Sequence, residues 1–564
     1  MTRRLVIPCL FLMGFVCSVL SAAEPFDLVI RNGRIVDGTG NPWFYGDLAI
    51  RGKRIVAVGQ ISADAPSKQV IDATGLVVSP GFIDIHSHSD TLLLEDGSAH
   101  SKIRQGVTTE VLGEADSAGP ALGQLPVRKQ VVGDRTLQWK TLGEYFDTLD
   151  REGIAVNVAS YVGLGTVWRC VMGDSFERPR PEQLAQMRVL VRQAMSDGAM
   201  GLSSMLAQPP CSLATVDDVV ELCREVALSG GIYSTHIRNE GSGVFDAVKE
   251  AIEIAERAKV PVDIIHLKIA DQQHWRRMNE IISLIEAGRA KGVNVQAHVY
   301  PYTRGNNDLA SIVPPWAHEG GASKLRQRIK DPETRERIKH DIRNGLPGWY
   351  NHYTAVGGDW SRMQISKETT LKGLTMDRVL AERSKGKTPT PEPLDVFLDY
   401  LSDENGSVST VYAHHTEEDM TLALVQPWCS IGSDGSAFAI EGPLRRGNPH
   451  PRSFGTFPRV LGVYVRELKL LRLEDAIRKM TSLNASKIGI QDRGVLRPGQ
   501  FADVVVFNPA TIIDHSTYSE PFQYAEGIAH VIVNGEVALS AGKLTGAKPG
   551  RALRHTKPDA AVQP

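Results

Sequence analysis

The 564-residue chain contains little cysteine, six residues in all, and no two of them form a CxxC pair. That excludes a zinc ribbon and a dense disulfide framework. Cys9 and Cys17 lie near the N-terminus; Cys170, Cys211, Cys223 and Cys429 are far apart and read as buried free thiols. An excess of one charge is missing too. The formal net charge is −2 and no dense Lys/Arg run occurs, so neither nucleic acid nor an anionic membrane surface is an expected partner. Internal repeats and long low-complexity segments are also absent.

What is present is a soluble composition, 42% hydrophobic and 23% charged. The length exceeds one compact core, so a large barrel with a smaller domain is expected. The N-terminus stands apart. Arg3 and Arg4 precede an apolar run from Leu5 to Leu20, then Ser21-Ala22-Ala23. This is the layout of a signal peptide covering 1–23, cleaved after Ala23, and it predicts an exported protein, periplasmic or secreted. A retained anchor is the alternative, but the run falls short of the ~20 residues a span needs. No membrane span is expected after cleavage.

Residues 24–79 alternate short apolar runs with turn signals. Asp27-Leu-Val-Ile30, Gly33-Arg-Ile-Val36, Asp47-Leu-Ala-Ile50 and Arg54-Ile-Val-Ala-Val58 predict four short strands of a small β domain. From 80 to 485 apolar strands alternate with amphipathic helices, which predicts a parallel sheet. Candidate strands at 81–86, 107–113, 155–162, 199–203, 232–236, 262–266, 293–300 and 428–434 suit an α/β (β/α)8 TIM-like barrel. A ninth candidate, 409–414, leaves the seventh position open. The stretch from about 303 to 393 is long and polar, and reads as an inserted, largely helical lid. Strands return in 486–550, which predicts that the small β-sandwich domain is discontinuous and built from both chain ends. Residues 551–564 read as a tail, the last ten loose.

The motif richest in chemistry is Pro80-Gly-Phe-Ile-Asp-Ile-His86-Ser-His88. Alternate residues of a strand share a face, so His86 and His88 point the same way at a strand's C-terminal end, where barrel active sites lie. Two imidazoles on one face suit a divalent metal. His236 and His266 each end a further apolar strand, one βα unit apart, and are expected side by side. Asp434, in Ser430-Ile-Gly-Ser-Asp434-Gly435, ends the last strand, where a carboxylate can touch both metal and substrate. Such a set predicts a metal-activated water near neutral pH, with Asp434 carrying its proton to the leaving amine.

Taken with Gln105-Gly-Val-Thr-Thr109, Gly230-Gly-Ile-Tyr-Ser-Thr-His236-Ile-Arg-Asn-Glu240, His266-Leu-Lys268, Tyr300-Pro-Tyr302, His450-Pro-Arg452 and the closing Gly494-Val-Leu-Arg-Pro-Gly499 segment, these motifs resemble the amidohydrolase superfamily. Within it the chain resembles the D-aminoacylase (N-acyl-D-amino-acid deacylase) family. The resemblance implies an enzyme that hydrolyses the amide of a small N-acyl amino acid, with one or two zinc ions or other divalent metals. It implies that His86, His88 and Asp434 ligate one metal position and that His236 and His266 ligate the other. Lys268 and Tyr300 would contact substrate, and Arg452 would hold its carboxylate as a planar bidentate fork.

One position departs from the family. Its second strand ends in Gly-Asn-Cys with a ligating thiolate, whereas here Gly113-Glu114-Ala115 stands. Glu114 is the expected replacement ligand, with Asp116 or a carbamylated Lys268 as the alternatives. A carboxylate makes the site harder and admits manganese. Competing functions are a dipeptidase or cyclic-amide hydrolase of the same superfamily, and an inactive barrel serving as a binding scaffold.

Overall fold

A computed structural model describes residues 24–556. The expected signal segment 1–23 and the end of the expected tail, 557–564, lie outside the described residues. Among the described residues no helix is long and apolar enough to cross a membrane.

The small domain is a single hydrogen-bonded sheet of nine strands drawn from both chain ends. Its seam is the antiparallel pairing of Val77–Pro80 with Val504–Phe507. Phe26–Ile35 forks the sheet. Its first half pairs in parallel with Ser67–Asp72, and Arg34 and Ile35 pair with Val77–Pro80. The two halves therefore share one apolar core, including Leu28, Ile30, Leu48, Val504 and Ile532. Burying each such side chain stabilises by roughly 1.5–3 kcal/mol. Two of the predicted strands merge into Phe26–Ile35. Asn32-Gly33 forms no turn; the register shifts between Ile30 and Gly33, and Asn32 takes a left-handed φ of 61°, as at a bulge.

Eight parallel strands form the ring of the larger domain: β1 (Phe82–Asp84), β2 (Val107–Leu112), β3 (Asn157–Ser160, continued by Val162–Gly163), β4 (Gly201–Met205), β5 (Ile232–His236), β6 (Val262–Ile264), β7 (Val295–Val299) and β8 (Cys429–Ile431). Each pairs with the next, with one interruption inside β3 at Tyr161. The ends of β8 and β1 meet through the parallel bridge Ser87–Gly435, with Asp434 N–H donating to the His86 carbonyl at 2.8 Å. Helices cover the outside. Val244–Ala258 buries Val244, Val248, Ala251 and Ala255 against the strands, the i, i+4, i+7 stripe of an amphipathic helix.

The ninth candidate strand is not in the ring. Ser409–Tyr412 pairs antiparallel with Gly305–Asp308 and Met363–Ile365 inside the insertion. The insertion thus runs past 393 to Tyr412, and it is a helical layer around a small sheet, not helices alone. It has its own core, including Leu309, Ile338, Met363, Phe397 and Tyr412.

The four described cysteines of the barrel are buried and free. The start of the tail is packed, and most of the stretch expected to be loose lies outside the described residues. Leu553 N–H donates to Val158 O at 2.7 Å and His555 N–H to Gly198 O at 2.9 Å, so this strap ties down the strands' N-terminal ends, opposite the mouth.

Candidate metal centre and active site

The site is built at the C-terminal ends of the strands. Gly113 sits at φ +88°, and a Cβ there would collide with the Tyr161 carbonyl. Only glycine turns the chain tightly enough to aim Glu114 inward. Gly432 lies against His298 and His86, at 2.9 and 3.1 Å from where its Cβ would stand, so its lack of a side chain lets the two imidazoles approach. Ala115, His266 and Asp434 all take left-handed φ, at 53°, 36° and 52°. Such strain, of order 1–3 kcal/mol each, persists where surrounding structure over-determines it.

Two groups of candidate ligands result. In the first, His86, His88, Glu114 and Asp434 bring donor atoms within 4.8 Å of one another. Glu114 Oε2 lies 2.9 Å from His86 Nε2 and 3.2 Å from His88 Nε2. Asp434 Oδ1 lies 3.0 Å from His88 Nε2 and 3.7 Å from His86 Nε2. His88 forms the outer lip, its side chain 42% exposed, while His86 and Asp434 are buried and the Glu114 side chain is 8% exposed. In the second group, His236, Glu240 and His266 converge. Glu240 is 3.0 Å from His266 Nδ1 and 3.5 Å from His236 Nε2. His236 Nδ1 faces the Ile237 carbonyl at 3.1 Å, which orients the ring and leaves Nε2 for a ligand role. The groups adjoin: His266 Nε2 is 3.7 Å from Asp434 Oδ2.

The charge states suit a cation. Burial alone would raise Glu114, but His86 and His88 hold its carboxyl well below the usual range. Burial opposes Glu240 likewise, and His236 and Lys268 hold it ionised. Burial and then Lys268 push His266 down to about 3, so its imidazole is neutral near pH 7. Burial opposes ionisation of Asp434 too, but Arg452 and His86 hold it well below a normal carboxylate. Two buried polar atoms here have no hydrogen-bond partner: Glu114 Oε1 and the Tyr300 hydroxyl. A ligand that bonds these atoms would satisfy them. Burial opposes protonation of His88, but Asp434 and Glu114 raise its pKa to about 10, so a cation bound there would displace its proton; an N/O donor set of imidazoles and carboxylates fits a divalent ion.

All the metal-ligand candidates read from the sequence, His86, His88, Glu114, His236, His266 and Asp434, come together. Arg452 lies at their edge, its Nη1 2.6 Å from Asp434 Oδ2 and its guanidinium 4.8 Å from the Tyr300 ring centre. Lys268 and Tyr300, expected to contact substrate, are buried beside the ligand groups. Neither lines the cavity that opens above the ligands, which has a volume of about 450 Å³. Lys268 Nζ instead donates to Glu240 at 2.6 Å and lies 2.7 Å from His266 Nδ1. Glu240 was visible only as the carboxylate four residues after His236 and carried no role in the sequence reading. The insertion supplies a polar rim of Asn306, Ser366 and Ser409, which hydrogen-bond one another across the mouth.

The chain matches the amidohydrolase family over residues 69–297 and 432–539, and it belongs to that family. The unmatched interval between those segments holds the insertion. The chain is 35% identical to a D-aminoacylase of Alcaligenes xylosoxydans xylosoxydans over 95% of its own length and 99% of the relative's. Among solved structures it is similar to an N-acyl-D-glutamate deacylase of Bordetella bronchiseptica complexed with zinc and a phosphonate mimic of the tetrahedral intermediate. That likeness has a TM-score of 0.78 and 30% identity, over 94% of this chain and all of the other. It is also similar to a D-aminoacylase described as having a binuclear metal centre, with a TM-score of 0.76 and 32% identity over 94% of this chain and all of the other.

Proposed function

We propose that this protein is a metal-dependent deacylase that hydrolyses the amide bond of N-acyl-D-amino acids. The observation that carries the reading is the position of Asp434, which is shared between the first ligand group and Arg452. A carboxylate so placed couples recognition of an acidic substrate to proton transfer. Zinc is the expected ion, with manganese admitted by the carboxylate of Glu114.

His86, His88, Glu114 and Asp434 would hold one ion, and His236, Glu240 and His266 a second. A bound divalent ion would supply Lewis-acid polarisation and acidify a water. The chain's own groups do the rest. Arg452 pairs with the substrate carboxylate, which competes with Asp434 Oδ2 for its Nη1. That exchange withdraws the guanidinium from Asp434 Oδ2 and raises the carboxylate's proton affinity at the moment substrate binds. Asp434 then accepts the proton of the attacking water and delivers it to the departing amine nitrogen. Burial keeps the Tyr300 phenol protonated, so it is a ready donor to a substrate oxygen that reaches it.

The deciding experiment is a screen of N-acyl amino acids in D and L forms, with metal content measured on the same sample. Turnover of D substrates that disappears with chelation is expected; cleavage of dipeptides or cyclic amides alone would overturn the reading. Arg452→Lys should raise KM for acids at least tenfold, because the bidentate fork is lost, and should barely change KM for the matching amides. Equal losses on both would make Arg452 structural. Export follows from the N-terminal segment alone. A mature N-terminus at Glu24 in an extracytoplasmic fraction is the expected result, and an intact Met1 in the cytoplasm the opposing one.

A further inference from the structure

Behind His86, away from the cavity, lies a chain of buried polar groups that has no part in the chemistry above. Lys487, from the helix Ser482–Lys487, has a side chain with no exposure and places Nζ 2.6 Å from Asp263 Oδ1. Its second bond goes to the Ala297 carbonyl at 2.7 Å. Asp263, in the middle of β6 and equally buried, places Oδ2 2.7 Å from His298 Nδ1. His298, on the neighbouring strand β7, places Nε2 3.2 Å from His86 Nδ1. The chain ends at Glu114 and Asp434 through His86 Nε2.

We propose that Lys487, Asp263 and His298 are positioning residues that set the tautomer of His86. The inference rests on the reading of His86 as a metal ligand. Lys487 and Asp263 form a balanced ion pair, so His298 is neutral with one N–H. An ionised carboxylate can only accept, and Nδ1 of His298 must donate to it. Nε2 of His298 is then an acceptor, and the atom facing it, His86 Nδ1, carries the hydrogen. His86 Nε2 is thereby left with a free lone pair, aimed at Glu114 and the ligand group. His236 is set in the same way by one backbone carbonyl. For His86 the device spans three elements, 224 residues apart at its ends.

An Asp263→Asn side chain can turn its amide toward His298 Nδ1 and donate. That reverses every hydrogen in the chain and puts a proton on His86 Nε2, where the lone pair is needed. The test is zinc titration of metal-stripped protein against a competing chelator, in two backgrounds. With His236→Ala only the His86 group is complete, and Asp263→Asn should weaken zinc by ~10–100-fold. With His86→Ala only the other group is complete, and Asp263→Asn should change nothing. Asp263→Glu, which keeps the acceptor, should restore most of the affinity. If Asp263→Asn does not fold, His298→Phe removes the acceptor for His86 Nδ1 and should give the same selective loss. Unchanged affinity in the first background, or equal weakening in both, would overturn the inference. Selective weakening in a protein that deacylates nothing would overturn the proposed activity and leave the inference standing.

Discussion

Asp434→Asn is expected to leave most of the bound metal in place while kcat falls by ~10²–10⁴-fold, the usual contribution of a positioned acid–base group. The amide keeps the shape of the carboxylate, and His86, His88 and Glu114 still surround the first ion position. What it cannot do is accept a proton. Metal content by elemental analysis and single-turnover kinetics check the two halves separately. A variant with wild-type turnover would remove Asp434 as proton carrier. One that loses metal and activity in proportion would reduce it to a ligand.

Glu114→Ala should lower metal occupancy and activity together. Its Oε2 is the atom shared by His86 and His88, and its buried negative charge is the main electrostatic attraction for a cation in the first group apart from Asp434. Removing it leaves two imidazoles and a carboxylate already paired with Arg452. Ala115→Cys in that background should partly restore both quantities. Ala115 lines the same cavity, and it already takes φ 53°, so a cysteine adds no backbone strain that alanine does not already carry. Full metal and normal kinetics in Glu114→Ala would move the ligand role to Asp116, which lines the same cavity and pairs with Arg169, to a modified Lys268 or to water.

The ring and its ligands were legible because their signals are local. An apolar strand followed by His or Asp states both the element and the end of it that faces the mouth, as at His236 and Asp434. Glu114 was legible as a departure from a resemblance, not from spacing. Glu240 was not, because a carboxylate in a loop after a strand has no periodicity to give it a direction. The buried set of Asp263, His298 and Lys487 was equally hidden: each reads alone as an ordinary polar residue, and only the barrel's closure brings a post-barrel helix under β6 and β7. The insertion's sheet was missed for a related reason. Its strands are three or four residues long and pair across roughly fifty to a hundred residues, so no turn joins them in sequence.

The insertion's separate core divides labour within the molecule. Its apolar residues pack on one another, and it reaches the cavity through Asn306, Ser366 and Ser409 and their neighbours, none of which belongs to either ligand group. Substitutions at that rim can therefore retune which side chain or acyl group is welcomed without disturbing the hydrolytic machinery beneath. An exchange of residues 303–412 with another deacylase would replace the polar rim and leave the barrel's own lining, Met205, Phe438 and Arg446 among it, in place. The barrel then acts as a constant engine, and the inserted cap as the replaceable part on which diversification within such enzymes can work.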